Sequence, residues 1–342
     1  MSLISVIVPA YNAAATLDAT LRSARAQTHR DIEIIVVDDG STDETGVIAQ
    51  RHAAQDARVR FSRIDHEGVS AARNLALSKA RGTFIAPLDA DDLWHPRKLE
   101  LQCAALNEAG DDTVLAYSWF VAIDGFDRPL LRARMPTVEG PVFFRHLDFN
   151  FIANGSSILV RADAARAIGY DPALSHCEDY KLQLELALRG RFVCVPAFLT
   201  GYRKHGCGLS SDTQRMLVAH IAVMNAMRSA DRPDAEPVID RRIAEFEIEL
   251  ARNRLRRKHI AAGMEAMARA FARKPRAAAV HLSREIGKLL PGRSKHYVAT
   301  PLPERSFPFS DPHAAIGHPI PERRSRRLAP LAVLDAKANY LE

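Results

Sequence analysis

Short apolar, β-branched runs alternate with segments of helical periodicity along the first hundred residues. Four of these runs are predicted as strands, at 5–8, 32–37, 59–64 and 83–88. Between them, apolar positions spaced three and four residues apart predict helices at 13–27 and 69–80. Another helix is predicted to open at Ser41, with Glu44 completing a capping box. Strands that alternate with helices favour right-handed crossovers, so the sequence predicts an α/β fold with a mostly parallel sheet.

The pattern loses this regularity after residue 100. A helix predicted at 178–189, closed by Gly190, stands among shorter strand-like runs. After residue 210 only helical patterns remain, and amphipathic segments at 213–230 and 238–258 predict a helical appendix. Recurring prolines then predict an extended or disordered tail. The predicted divisions are a domain at 1–210 with halves at 1–100 and 101–210, the appendix at 211–290 and the tail at 291–342.

The composition is that of an ordinary globular protein, with 47% hydrophobic and 26% charged residues in a chain of 342. No uncharged stretch is long enough for a transmembrane helix, and the first residues lead into a strand without a signal-peptide pattern. The four cysteines have no CxxC spacing, which favours reduced thiols over a zinc site or disulfides. We therefore expect a cytoplasmic protein.

The net charge of +6 is unevenly distributed. Residues 1–250 hold 28 basic and 34 acidic side chains, whereas 251–342 hold 19 basic and 7 acidic ones. The cations cluster at 252–258 and 323–327. Two interpretations remain open: peripheral contact with an anionic surface, such as the inner face of the plasma membrane, or a solvated helix face followed by a flexible tail. Neither interpretation indicates nucleic-acid binding.

Carboxylates gather directly after two of the predicted strands. Asp38 and Asp39 follow the second strand, and Asp89, Asp91 and Asp92 follow the fourth. The carboxyl ends of parallel strands meet in one crevice, where concentrated negative charge repels itself and is costly to desolvate. The sequence therefore predicts a cationic or hydrogen-bond-donating ligand between the two clusters.

The turn after the first strand differs from the common phosphate-binding loops. Its sequence is Pro9-Ala10-Tyr11-Asn12, and the chain contains no GxGxxG after this strand, no GxxxxGK[ST] and no GxSxG. A stiff turn with one aromatic ring and one amide is suited to packing against a planar base rather than to cradling a phosphate.

Several motifs resemble those of family 2 glycosyltransferases in type and order. They are Val6–Asn12, Gln27-Thr28, Glu33–Asp43, Ala72-Arg73-Asn74, Ala80-Arg81-Gly82 and Leu88–Asp92. Each motif alone is weak, but together they are specific; the likeness is close over 3–100 and looser over 150–205. The resemblance implies a GT-A fold, in which a Rossmann-like, mostly parallel sheet is flanked by helices, here followed by the helical appendix. It also implies an inverting transfer from a nucleotide-sugar donor.

The resemblance implies a nucleotide site in the crevice. Its implied members are Pro9, Tyr11, Asn12, Asp39, Arg73 and Asp89. The chemistry of two of these residues fits a nucleotide site, because Asp39 could accept the imide N–H of a uracil-like base and Tyr11 could pack on the face of that base. Asp38 either contributes to this site or only receives hydrogen bonds that order its turn.

Asp89-Ala90-Asp91 resembles the DxD motif of the family, which implies a Mn²⁺ or Mg²⁺ ion that stabilises the leaving diphosphate. In an extended segment Asp89 and Asp91 would point to the same side, with Asp91 as the metal ligand and Asp89 facing the ribose or a metal-bound water. His205 is a candidate further contact of the metal or of a phosphate. Asp92 is equally suited to be the N-cap of the next helix.

Inversion requires a base on the far side of the sugar. Glu178 and Asp179 resemble the acidic pair of the family before a helix, which implies Asp179 as the base and Glu178 as the second candidate. Acidic residues are also favoured in the first turn of any helix by the macrodipole, which would lower the pKa of Asp179, whereas the adjacent Glu178 would raise it.

The sequence thus predicts a bacterial inverting glycosyltransferase. It would move a sugar from a UDP-type donor to a hydroxyl of a glycan or lipid-linked acceptor, in cell-surface polysaccharide or glycolipid synthesis. Two alternatives remain. A sugar nucleotidyltransferase would be expected to carry a glycine-rich basic loop where Pro9-Ala10-Tyr11-Asn12 stands. A non-catalytic sugar-nucleotide-binding subunit of a polysaccharide-assembly complex would not need Asp91 and Asp179.

Overall fold

A computed structural model of the chain describes residues 2–134, 136–204, 212–287 and 331–336. The chain divides into two compact units. The first comprises residues up to 146, 150–205 and the stretch from 299 onwards, and the second comprises 147–149 and 206–298. Among the described residues, no helix combines the length and the apolar character that a bilayer span requires. The domain limits drawn from the sequence stay a prediction.

Over the first ninety residues the elements follow one another in the alternating order that the apolar pattern predicts. Up to residue 203 they are β1 Ile4–Ala10, α1 Leu17–Arg25, β2 Ile32–Asp39, α2 Thr45–Gln55, β3 Val59–Ile64, α3 Val69–Lys79, β4 Phe84–Pro87, β5 Leu93–Trp94, α4 Lys98–Ala109, β6 Thr113–Ile123, β7 Pro129–Arg134, α5 Phe143–Asp148, β8 Ile158–Arg161, α6 Ala162–Ile168, α7 Glu178–Ala187 and β9 Arg191–Arg203. From residue 213 they are α8 Thr213–Ala226, a 3₁₀ turn Pro233–Ala235, α9 Glu236–Arg256, α10 Ile260–Arg273 and α11 Pro275–Gly287.

The strands form one sheet in the order β3-β2-β1-β4-β8-β6-β9-β5, with β7 paired to β6. Strand β1 lies between β2 and β4 and is parallel to both, so that Val6 pairs with Ile34 on one side and with Ala86 on the other. Strand β8 is antiparallel to its neighbours β4 and β6, and β9 is parallel to β6. The predicted α/β fold with a mostly parallel sheet and a helical C-terminal region is confirmed.

The central strand owes its position to its sequence. Every residue of β1, ISVIVPA, is buried, as expected for a parallel strand covered by helices on both faces. Helix α1 buries Leu17, Leu21 and Ala24 in the same core, at the spacing that predicted the helix. On its outer face Asp18 and Arg22 form an exposed ion pair. The apolar core therefore fixes β1 at the centre of the sheet, with its carboxyl end between those of β2 and β4.

Strand β9 contains a proline at the point where its pairing with β6 is irregular. Ser118 pairs with Val195, whereas the next residue of β6 pairs with Phe198, so that Pro196 lies outside the regular ladder. A proline has no N–H to donate, which explains this position. Beyond it the strand continues to Arg203, whose side chain reaches the acidic motif.

The capping box predicted at Ser41 is wrong. Helix α2 begins at Thr45, and the Ser41 hydroxyl instead accepts the N–H of Asn12 at 2.9 Å. Asp43 accepts the N–H of Thr45 at 3.0 Å. The hydroxyl is therefore used to tie the turn after β1 to the turn after β2.

Residues 331–336 form a short helix within the segment predicted as an extended tail. Asp335 in this helix is fully buried, and its carboxylate accepts the N–H of Phe144 and the Nε of Arg145, both at 2.6 Å. These bonds attach the helix to the start of α5, which explains why it is not extended.

Candidate active site

The carboxyl ends of β1, β2 and β4 lie side by side, and the candidate residues follow them. Ala10, the last residue of β1, pairs with Asp38 of β2. Tyr11, Asp39 and Asp89 therefore leave the sheet from the ends of three neighbouring strands. Ligands bind at this position in open α/β sheets.

Asp38 orders the turn after β2, which is one of the two roles predicted for it. The side chain is fully buried. Its Oδ1 accepts the N–H of Ser41 at 2.9 Å, and its Oδ2 lies 3.2 Å from Nη1 of Arg63. The carboxylate is therefore engaged within the protein.

Asp39 holds the loop that precedes α3. Its Oδ1 accepts the N–H of Glu67 at 2.7 Å, and its Oδ2 accepts the N–H of Gly68 at 3.0 Å. Each carboxylate oxygen has a second lone pair, so Asp39 retains the capacity to accept a ligand N–H. Its loop contacts were not predicted from the sequence.

Tyr11 and His66 form an aromatic pair at the end of β1. Their ring centroids are 4.1 Å apart with 24° between the ring planes, and Tyr11 is 46% exposed. The Nδ1 of His66 lies 3.1 Å from the carbonyl oxygen of Asp39. Gly40 has a φ of 75°, and a Cβ there would lie 2.8 Å from the backbone nitrogen of His66. Only glycine allows this close approach, so the Asp-Gly pair after β2 helps to place the histidine.

Asn12 and Pro9 shape the turn that presents Tyr11. Asn12 Oδ1 accepts the N–H of Thr42 at 2.9 Å. Pro9 is buried within β1, where it pairs with Val37. These contacts give both residues a place in the turn, and a direct contact of either with a nucleotide stays a prediction.

The acidic motif forms a turn rather than an extended segment. The N–H of Asp92 donates to the carbonyl of Asp89 at 3.1 Å, so the chain reverses within these four residues. The premise that a spacing of two places Asp89 and Asp91 on the same side of an extended chain is therefore wrong. Arg203 holds the turn, since its Nε donates to the carbonyl of Asp91 at 2.6 Å and its N–H to Asp92 Oδ1 at 2.9 Å.

Asp92 is the buried last residue of this turn and is not a helix cap. Helix α4 begins at Lys98, with Arg97 as its N-cap residue. Burial, followed by the charges of Asp91 and Asp89, raises the pKa of Asp92 well above its usual value. Hydrogen bonds to the carboxyl offset this only in part. The turn therefore brings three carboxyl groups close together, and the charges of Asp91 and Asp89 add to the effect of burial on the pKa of Asp92.

Arg73 of α3 joins the acidic turn to the start of α7. Its Nη1 contacts Oε1 of Glu178, and its Nη2 donates to Oδ1 of Asp89 at 2.6 Å. The guanidinium is 4% exposed and lies 5.2 Å from the centroid of the Tyr170 ring. Burial alone would lower the pKa of Arg73, but the charges of Asp89 and Glu178 hold it well above its usual value. A buried ion pair of this kind is costly to break by removing one partner.

Asp179 lies next to this ion pair, and its pKa is raised. Burial, followed by the charge of Glu178, raises the pKa of Asp179 to about 7, although Arg73 and the N–H of Tyr180 act in the opposite direction. Burial therefore outweighs the lowering expected from the helix macrodipole. A carboxyl with a pKa of about 7 is suited to act as a general base near neutral pH.

The segment Asn154-Gly155-Ser156 connects the two acidic elements. Ser156 Oγ accepts the N–H of Asp89 at 3.0 Å, and the carbonyl of Asn154 accepts from Nε2 of Gln183 in α7 at 3.1 Å. A Cβ on Gly155 would lie 3.7 Å from the Cβ of Asp179. The segment therefore lies directly beside the candidate base.

The structure brings the predicted residues together in two groups. Tyr11, Asn12 and Asp39 lie around the turns that follow β1 and β2. Arg73, Asp89 and Glu178 form one ion-paired cluster, with Asp179 beside it and Asp91 in the adjoining turn. His205 lies outside the described residues.

His66 has an evident place in this site and was not predicted from the sequence. It precedes Gly68 just before α3, and its position next to Tyr11 depends on the loop that Asp39 holds. The bonds by which Ser156 and Arg203 hold the acidic turn were not predicted either.

Comparison with known proteins relates the part of this site before residue 165 to a family. Residues 5–165 match the model for glycosyl transferase family 2. The chondroitin synthase of Escherichia coli is 40% identical over 194 residues, which cover 56% of this chain and 27% of that protein. The E. coli UDP-Glc:alpha-D-GlcNAc-diphosphoundecaprenol beta-1,3-glucosyltransferase WfaP is 43% identical over 103 residues, which cover 30% of this chain and 40% of that protein. The chain thus spans less than half the length of these two relatives.

Solved structures with a similar fold cover most of the chain. S. aureus TarS 1–349 in complex with UDP-GlcNAc has a TM-score of 0.63 at 20% identity, covering 82% of this chain and 84% of TarS 1–349. The mannosyltransferase PcManGT from Pyrobaculum calidifontis, in complex with GDP-Man and Mn²⁺, has a TM-score of 0.55 at 21% identity, covering 84% and 81%. At such identities the likeness establishes the GT-A fold alone. Taken with the family match, it leads to one assignment: residues 5–165 of this chain match the model for glycosyl transferase family 2 and form part of a GT-A-type fold.

Proposed function

We propose that this chain is an inverting transferase that moves a sugar from a UDP-type donor to a hydroxyl of a glycan or lipid-linked acceptor. The observation that carries the proposal is the contrast within one acidic pair. Glu178 is held by Arg73, whereas the adjacent Asp179 has a pKa of about 7. A base with that pKa, next to a cluster that includes the DxD-like turn, is what an inverting displacement requires.

The names of the relatives support the acceptor class and the pathway. One is a chondroitin synthase, and the other is a glucosyltransferase for a diphosphoundecaprenol-linked sugar. We propose that this chain likewise acts in the synthesis of a cell-surface polysaccharide or glycolipid. The buried free thiols of Cys103, Cys177 and Cys194 agree with the cytoplasmic location that we propose.

In the proposed reaction, ionised Asp179 accepts the proton of the acceptor hydroxyl. The hydroxyl oxygen attacks the anomeric carbon from the face opposite the diphosphate. A new C–O bond forms while the bond from that carbon to the diphosphate oxygen breaks, so the configuration inverts and the nucleoside diphosphate leaves. Arg73 keeps Asp89 and Glu178 in position, and its charge limits how far the pKa of Asp179 is raised.

The nucleotide base is proposed to lie at Tyr11, His66 and Asp39. Tyr11 supplies an exposed ring, and Asp39 retains lone pairs for an imide N–H. With 4.1 Å between the centroids of the Tyr11 and His66 rings, no base fits between them. A base must therefore stack on an outer face of the pair or take the place of His66 on Tyr11.

The residues of the acidic turn fit a hard divalent cation. Asp89, Asp91 and Asp92 lie in one turn, and the charges of Asp91 and Asp89 contribute to the raised pKa of Asp92, so the three carboxyl groups are close in space. Carboxylate oxygens are preferred ligands of Mg²⁺ and Mn²⁺, and we propose Asp91 as the protein ligand, with His205 as a further candidate. When bound, the ion would stabilise the charge of the leaving diphosphate. The Mn²⁺ in the PcManGT complex supports the choice of ion.

Asp179→Asn tests the proposed base. The amide cannot accept the proton, so we expect UDP binding to persist while transfer falls by about 10²–10⁴-fold. UDP release from a panel of UDP-sugars and the anomeric configuration of the product would be measured. Asp163→Asn is a matched control, because Asp163 also holds the second position of a helix and accepts the N–H of the next residue at 2.8 Å. Near-normal turnover in Asp179→Asn would place the base elsewhere.

Asp91→Ala tests the metal site. We expect the fold and the melting temperature to survive, while Mn²⁺ binding in the presence of UDP and metal-dependent transfer are lost. Titration calorimetry with Mn²⁺ measures binding independently of turnover. Unchanged turnover of the natural chain in excess EDTA would contradict the metal requirement.

A further inference from the structure

We propose that the corner between α9 and α10 is a docking surface for an anionic membrane. We name it the basic corner, and its residues are Arg256, Arg257, Lys258, Ile260 and Met264. All five are exposed, and Ile260 and Met264 are each 59% exposed. The inference goes beyond glycosyl transfer and does not depend on it.

Of the two basic clusters in the sequence, 323–327 lies outside the described residues, and the structure narrows the cluster at 252–258 to a smaller set of solvent-facing cations. Arg252 contacts Glu285, and Arg254 donates to the carbonyl of Ala262 at 3.2 Å, so both are engaged within the helical unit. The acidic residue within 256–268, Glu265, is ion-paired with Arg269 at 2.8 Å. The solvent-facing part of this stretch is therefore positively charged.

The basic corner is a fixed turn between two packed helices. Lys258 adopts a φ of 63°, and its N–H donates to the carbonyl of Leu255 at 3.0 Å. The N–H of His259 donates to the carbonyl of Arg254 at 2.9 Å. Gly263 allows α10 to approach α9, because a Cβ there would lie 2.7 Å from Cγ of Leu255. The cations and the apolar side chains are therefore displayed from one defined position.

The chemistry of the basic corner matches a bilayer interface. Ile260 and Met264 are one helical turn apart, so they project from the same face of α10. Exposed apolar side chains beside arginine and lysine are typical of elements whose apolar groups enter the acyl boundary while the cations meet anionic headgroups. Two apolar side chains are a small area for a stable protein–protein interface, which favours a lipid surface as the occupant.

Vesicle co-sedimentation of the full chain tests this proposal. Vesicles of phosphatidylcholine alone would be compared with vesicles that also contain phosphatidylglycerol. We expect binding to the anionic vesicles, weakened by salt. The triple variant Arg256→Ala, Arg257→Ala, Lys258→Ala should bind about 100-fold more weakly, since each removed charge lowers binding about fivefold.

A matched control removes three charges from another surface. Arg22, Arg51 and Arg97 have side chains that are 73%, 53% and 50% exposed, and changing them together to alanine alters the net charge equally. This control should bind the anionic vesicles within about threefold of the natural chain, because the cations of the basic corner remain. A second variant, Ile260→Ser with Met264→Ser, keeps every charge and should also bind more weakly.

The outcomes separate this proposal from the proposed function. Melting temperature and UDP binding, measured on the same preparations, show whether each variant is folded. Vesicle binding that is equal for the natural chain and both variants of the basic corner would overturn the proposal, as would an equal loss in the control. A dimer that dissociates in Ile260→Ser with Met264→Ser, without any vesicle binding, would assign the surface to a second copy instead. If the chain binds anionic vesicles but does not bind UDP, the docking surface is supported and the proposed UDP-type donor is contradicted.

Discussion

At the scale of single residues, the site depends on two adjacent carboxylates that have different surroundings. Glu178 is ion-paired with Arg73, 105 positions earlier in the chain, whereas Asp179 is left with a raised pKa. Nothing in the order Glu-Asp distinguishes the two, since both lie in the first turn of α7. The distinction comes from Arg73, which contacts the carboxylate of Glu178 directly.

The pKa of Asp179 predicts the pH dependence of transfer. Below pH 7 the carboxyl is increasingly protonated and cannot accept a proton, so kcat/KM should fall about tenfold per pH unit and level off above the pKa of about 7. UDP binding should not follow this limb. The measurement is kcat/KM across the pH range, which reports the pKa of the free enzyme. A flat profile across this range, or a limb that persists in Asp179→Asn, would contradict the assignment.

The same raised pKa predicts a cost in stability. A carboxyl whose folded pKa lies above its usual 3.8 contributes stability when protonated, and that contribution is lost as the pH rises towards the folded pKa of about 7. The asparagine of Asp179→Asn does not titrate. The melting temperature of this variant, relative to that of the natural chain, should therefore rise as the pH increases from 3.8 to about 7 and stay constant above pH 7. Thermal melts across this range measure it, with about 2–4 °C expected per kcal/mol. The exposed Asp163→Asn should show no such growth.

At the scale of elements, the site is built by loops that bond to one another across the ends of strands. The apolar runs predicted the strands and therefore where Asp39 and Asp89 would leave the sheet. They could not predict that residues 89–92 form a turn, because Arg203, 112 positions later, holds the carbonyl of Asp91. The capping box at Ser41 failed for the same reason, since its hydroxyl is bound by the N–H of Asn12. Local pattern thus places the residues, and long-range hydrogen bonds decide their geometry.

Arg203→Lys should disturb the acidic turn without changing the charge. Lysine keeps the cation but lacks the planar fork that reaches Asp91 and also donates to the carbonyl of Asp124 at 3.0 Å. We expect a loss of about 2–4 kcal/mol in the free energy of unfolding and weaker Mn²⁺ binding in the presence of UDP. Urea unfolding and calorimetry measure the two effects. Arg128→Lys, an exposed partner of Asp124, is the matched control and should change both by little.

At the scale of the whole molecule, the unit that carries the site includes residues from both ends of the chain. The helix 331–336 lies beyond the family match at 5–165 and beyond the helical unit, yet it belongs to the first unit. It bonds to the start of α5 through Asp335, and α5 is linked to α7 because Tyr180 Oη donates to the carbonyl of His146 at 2.9 Å. The prolines of the C-terminal segment predicted an extended tail, but 331–336 contains none.

Asp335→Ala should therefore destabilise the first unit. The change leaves the N–H of Phe144 and the guanidinium of Arg145 without their carboxylate, and because Asp335 is 1% exposed, we expect a loss of about 1–3 kcal/mol in the free energy of unfolding. Asp335→Asn keeps an oxygen for the N–H of Phe144 and should lose less. Asp111→Ala, which removes a fully exposed partner of Arg161, should leave the free energy of unfolding nearly unchanged. Urea unfolding of the full chain compares the three, and equal midpoints for Asp335→Ala and the natural chain would mean that the C-terminal helix does not hold α5 in place.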